Sequence, residues 1–97
     1  MKPVVFLPQA EQEMVEAAKY YESQAAGLGA NYLSETERAV AAIAESPETW
    51  PIIEGKLRRR LVRRFPFGIL YCIDPNEIVV VAVAHLHRKP GYWRGRI

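Results

Sequence analysis

Cysteine is nearly absent. Cys72 stands alone in 97 residues, so no disulfide can staple the chain from within. It lies in the apolar run Ile69-Leu70-Tyr71-Cys72-Ile73, where a free thiol behaves as a small buried hydrophobe. Long apolar runs are missing too. None approaches the length needed to cross a bilayer and the N-terminus has no signal-peptide core, so a cytoplasmic location without membrane association is expected. The chain contains no phosphate-binding glycine loop, no nucleophile elbow and no metal-ligand pattern. His85 and His87 lack a nearby third ligand for zinc. No cofactor and no metal are therefore expected.

What is present describes one small folded domain spanning residues 1–97. About half the chain is hydrophobic and a quarter is charged, which suits a globular protein. A domain of this size leaves little room for a deep cavity, so function belongs on a surface or in a shallow groove. The net charge of +2 conceals a division. Residues 1–53 hold three basic side chains against eight acidic ones, a balance of −5. Residues 54–97 hold ten against three, a balance of +7. A basic working surface in the C-terminal half implies an acidic partner, either nucleic acid or an acidic protein segment.

Periodicity sets the order of elements. Val4-Val5-Phe6-Leu7, stopped by Pro8, reads as a strand. Ala10 to Gln24 is helix-forming, with Met14, Ala17, Ala18 and Tyr21 on its apolar stripe and its acidic residues on the solvated face. Gly27 and Gly29 break it. A second helix is expected over Ala30 to Glu45, with Leu33, Val40, Ile43 and Ala44 facing inward. Ser46 to Glu54 reads as an irregular connection. Strands are expected over Leu57–Arg64, Phe67–Ile73 and Ile78–Leu86, with Asp74-Pro75-Asn76-Glu77 turning the last two into a hairpin. The order is β-α-α-β-β-β, an α+β fold in which a helical hairpin covers one face of a mainly antiparallel sheet. Alternation on the valine-rich last strand groups Val79, Val81, Val83, His85 and His87 on one face, with Ile78, Val80, Ala82, Ala84, Leu86 and Arg88 on the other. Both faces are apolar, so this strand is central.

Two clusters carry the functional signal. Arg58, Arg59, Arg60, Arg63 and Arg64 fall within seven residues of a strand-like segment. Arginine binds phosphate and carboxylate bidentately, and the same charges on an edge strand deter aggregation. Alternation sends Arg59 and Arg63 to one face and Arg58, Arg60 and Arg64 to the other. The second cluster runs from His85 to Arg96 and interleaves Arg88, Lys89, Arg94 and Arg96 with Tyr92 and Trp93. Aromatics among cations suit stacking on bases, and they suit a protein interface equally well.

Ordered motifs span nearly the whole chain. They are Ala17-Ala18-Lys19-Tyr20-Tyr21-Glu22, Gly27-Leu28-Gly29, Tyr32-Leu33, Ser46-Pro47, Arg63-Arg64-Phe65-Pro66-Phe67-Gly68-Ile69-Leu70-Tyr71, Val83-Ala84-His85, and Arg88-Lys89-Pro90-Gly91-Tyr92-Trp93 with Arg96. In this order and spacing the chain resembles the RelE/ParE toxin superfamily of plasmid-stabilising type II toxin–antitoxin systems, nearer its ParE-like branch. The resemblance implies a growth-inhibiting toxin held inactive by a cognate antitoxin whose acidic C-terminal segment wraps it. A ParE-like member poisons DNA gyrase without nuclease chemistry. A RelE-like member cleaves messenger RNA on the ribosome, and His85, Arg88 and Tyr92 are the residues that would be catalytic in that case. The lysine-rich stretch of ribosome-dependent members is missing, since Lys56 is the one lysine between residues 50 and 64. Partner binding is expected at Arg58, Arg59, Arg60, Arg63, Arg64, Trp93, Arg94 and Arg96. A member that keeps only antitoxin binding remains a third reading. Both a toxin dimer and a toxin–antitoxin hetero-oligomer are open.

Overall fold

The computed structural model describes every residue from Met1 to Ile97. Strand β1 (Val4–Phe6) leads through Leu7 into helix α1 (Pro8–Gln24), and helix α2 (Leu28–Glu45) follows. Strands β2 (Ile52–Glu54), β3 (Leu57–Leu61), β4 (Phe67–Ile73) and β5 (Ile78–His85) complete one sheet, and a 3-10 turn spans Arg94–Arg96. The strand order is β1-β5-β4-β3-β2. β1 runs parallel to β5, and every other pairing is antiparallel.

Pro8 opens α1 because the first helical turn needs no N–H from it and its fixed φ already suits the helix. The break between the helices is tight. Gly27 adopts φ 85°, and the Gly29 N–H lies 3.0 Å from a carboxylate oxygen of Glu22. Glu22 also accepts from the Gly27 N–H, so a side chain of α1 caps the free donors that begin α2. A Cβ on Gly29 would stand 2.6 Å from the Ala18 carbonyl oxygen, so the hairpin closes only with glycine there.

The sheet separates two apolar clusters. On the helix side, Ala10, Tyr32, Ala39 and Ile43 pack on Val62, Phe67, Ile69, Tyr71, Ile78, Val80 and Val83. On the outer side, Leu57, Leu70, Val81, Ala82 and Ala84 pack under Trp93. β5 lies between β1 and β4 and is buried from Val80 to Ala84, as a central strand should be.

The structure corrects four local expectations. Ile52–Glu54 is an edge strand rather than part of an irregular link, because it pairs with Leu57 and Arg58 across a turn at Gly55-Lys56. Three exposed residues between prolines and glycine carry too little periodicity to announce a strand. β3 ends at Leu61, because Val62 donates to the Phe67 carbonyl and closes the loop that contains Arg63 and Arg64. The buried face of α2 is Tyr32, Glu35, Thr36, Ala39 and Ile43, while Val40 and Ala44 border an apolar groove instead. Finally, a bulge interrupts β5. Tyr71 pairs with Val80 and Leu70 with Ala82, which leaves Val81 as the extra residue. Strict alternation therefore fails: Val81 joins the outer cluster while Val83 returns to the helix side.

Candidate functional site

The tail after β5 folds back across the end of the sheet, and one carboxylate from α1 receives it. Glu13 Oε1 accepts from the Val83 N–H at 3.1 Å and from Arg96 Nη1 at 2.9 Å. Glu13 Oε2 accepts from the Tyr92 hydroxyl at 2.6 Å, from Arg96 Nη2 at 3.1 Å and from Arg88 Nη1 at 3.3 Å. The site forms here because β1 stops at Phe6 and leaves the next part of β5 without a neighbouring strand. Glu13 takes the donor of that bare edge, and Arg96 Nη1 covers the Val81 carbonyl at 3.1 Å. Glu13 and Arg96 side chains are only 12% and 14% exposed, whereas Arg88 is 53% exposed and lies over the Tyr92 ring at 3.6 Å. Burial, reinforced by the hydrogen bond and charge of Glu13, pushes the Tyr92 phenol well above its ordinary pKa. The acidic residues of α1 are thus not all solvated. Glu13 and Glu22 are structural acceptors, found only because residues distant in sequence or beyond the helix end meet them.

The outer face bears a second feature. A groove of about 120 Å³ is lined by Arg59, His85, Leu86, Arg88, Lys89, Tyr92 and neighbouring apolar residues. It brings together the three residues singled out for RNA chemistry. Arg88 and Tyr92 are committed to Glu13, however. His85 Nδ1 accepts the His87 N–H at 3.1 Å, which in the neutral ring leaves the proton on Nε2. Phe67 packs against that ring at 5.1 Å.

The other sequence-selected residues divide by what holds them. Arg58 donates to the Glu48 and Trp50 carbonyls at 3.1 and 2.7 Å and ties the α2–β2 connection to the sheet. Arg60 stacks on Trp50 at 4.5 Å and donates to the Leu61 carbonyl. Trp93 is buried in the outer cluster. Arg94 grips Glu54 with Nε at 2.8 Å and Nη2 at 2.6 Å, pinning the tail to β2, and this contact holds the Glu54 carboxyl below its ordinary pKa. Arg59, Arg63 and Arg64 form no ion pair, and Arg63 and Arg64 project from the β3–β4 loop into solvent. Arg64 holds φ 72°, the left-handed region that residues other than glycine seldom enter. No group of three or more His, Cys, Asp or Glu side chains is arranged to hold a metal ion.

A short mixed sheet, a helical hairpin on one face and a basic tail pinned across its end define a small α+β domain. The model of the ParE toxin of type II toxin-antitoxin systems, parDE, matches residues 4–90, and the chain belongs to this family. A chain from the structure of the chromosomal ParDE TA system from P. aeruginosa superposes with a TM-score of 0.66 at 13% identity, covering 90% of this chain and 98% of that one. That likeness shows the α+β fold. Among curated proteins, none matches. No helix is long and apolar enough to cross a membrane.

Proposed function

We propose that this chain is the toxin of a two-component pair, that it inhibits DNA gyrase by binding without covalent chemistry, and that a cognate antitoxin with an acidic C-terminal segment neutralises it in the cytoplasm. The observation that carries the reading is the commitment of Arg88 and Tyr92 to Glu13. A phenol raised in pKa and bonded to a carboxylate is a poor general base. An arginine that already neutralises a carboxylate is a weak clamp for a phosphate. Among the arginines, Arg59, Arg63 and Arg64 are left without internal partners, and they border the outer groove and the β3–β4 loop. Exposed arginines at a loop tip fit recognition of an acidic protein patch.

Purified toxin should abolish gyrase supercoiling, and Arg63→Ala with Arg64→Ala should raise the inhibiting concentration at least about tenfold, as expected when two interface arginines are lost. Unchanged supercoiling at concentrations that arrest cells would overturn the reading. The convergence of His85, Arg88 and Tyr92 on one groove supports a second reading, ribosome-dependent cleavage of messenger RNA. That reading requires codon-phased cuts in translated messages that Tyr92→Phe abolishes. Expression without antitoxin that leaves growth untouched would point to a member that has kept only antitoxin binding.

A further inference from the structure

The donors around Glu13 form a set whose composition is unusual for a structural ion pair. Two guanidinium groups, a phenolic hydroxyl and a backbone N–H converge on one carboxylate, and four of the five contacts lie between 2.6 and 3.1 Å. All four donor groups come from the β5 edge and the tail, and the acceptor alone comes from α1. Two positive charges face one negative charge. The cluster is not sealed, because a depression of about 310 Å³ opens on Glu13, Glu16, Val83, His85 and Arg88, and the Arg88 side chain is half-exposed there.

The geometry points to a latent oxyanion site, built by Val83, Arg88, Tyr92 and Arg96 and kept closed by the side chain of Glu13. The ligand class it would take is phosphate, either free or as a nucleic-acid phosphodiester. Forked guanidinium groups with a hydroxyl and an amide N–H are the donors that hold such oxyanions. Free phosphate, bearing close to two negative charges, balances two arginines better than one carboxylate does, whereas a phosphodiester matches the single charge of Glu13. Glu13 is then a specificity-determining residue. It denies phosphate to Arg88 and Arg96 and leaves external partners to the arginines without ion pairs. This inference is independent of whether gyrase is the target, since it concerns the isolated chain.

The test is a titration of wild-type protein and Glu13→Ala with inorganic phosphate at constant ionic strength, read by thermal unfolding and by amide chemical shifts. Removing the carboxyl group and the methylene that carries it leaves a space into which a small oxyanion fits. Glu13→Ala should show a saturable rise in Tm of roughly 5 °C with phosphate and shifts centred on Val83. Wild type should show neither. If Glu13→Ala is unfolded in phosphate-free buffer, the same titration is read as refolding that saturates at low phosphate, because an excluded salt stabilises only in proportion to its concentration. A parallel arm with a dinucleoside monophosphate separates the sources. Response to both ligands assigns the site to phosphodiesters, and response to inorganic phosphate alone assigns it to free phosphate. An equal response in wild type, no response in Glu13→Ala, or an equal effect of chloride would overturn the proposal.

Discussion

A carboxylate near the start of a surface helix ordinarily points to water, where it favours the positive end of the helix dipole. Glu13 instead lies under the tail because β5 needs an acceptor where β1 has ended. Breaking such a partly buried charge cluster costs about 3–5 kcal/mol, more than an exposed ion pair contributes. Arg64 is the contrasting case. It satisfies nothing inside the fold, and its left-handed backbone costs about 1–2 kcal/mol relative to glycine. Arg64→Gly should therefore leave unfolding stability unchanged within about 1 kcal/mol, or raise it, while weakening the proposed inhibition of gyrase. Denaturant unfolding alongside the supercoiling assay checks this. A loss of stability without loss of inhibition would show that Arg64 serves the fold.

At the scale of elements, the helical hairpin and the tail are held by different physics. The hairpin depends on close approach at Gly29, where a Cβ would meet backbone rather than a flexible side chain. Gly29→Ala should lower stability by about 1–3 kcal/mol, and urea unfolding with an unchanged m-value is the expected signature. A neutral result would mean that α1 and α2 slide apart freely. The tail rests on Trp93 in the outer cluster, Arg94 on Glu54 and Arg96 on Glu13. Its rings and cations were legible in the sequence as a cluster, but not which of them are spent on the fold. Trp93, expected at a partner interface, is buried, because the outer sheet face has no helices and the tail supplies its cover. Alternation placed Arg58, Arg59 and Arg60 on the correct sides of β3, yet it misassigned Ala82, Val83 and Ala84 relative to the first half of β5, because a bulge leaves no mark in a run of valines.

Across the whole molecule, burial of tyrosine couples the fold to alkaline pH. Burial pushes Tyr32 and Tyr71 each up to about 12. The unfolded phenol titrates near pH 10, so the folded state holds its proton more tightly. The stability contributed by these groups is fully present below about pH 10 and is lost as pH rises toward about 12. Phenolate absorbance from the buried rings should appear together with loss of far-UV circular dichroism. Titration of all five tyrosines near pH 10 in an intact fold would contradict the packing described for the core.

The sequence by itself determined the two helices, the three long strands, the β4–β5 turn, the central position of β5 and the basic character of the C-terminal half. These follow from local periodicity, turn chemistry and charge, which act over a few residues. Only the tertiary structure decided that Glu13 meets Arg88, Tyr92 and Arg96, that β5 changes faces at Val81, that β2 exists, and that Arg63 and Arg64 remain free. The physical reason is sequence distance. Glu13 and its partners lie 70 to 83 residues apart, and their donors and acceptor meet only after a short β1 leaves the edge of β5 bare.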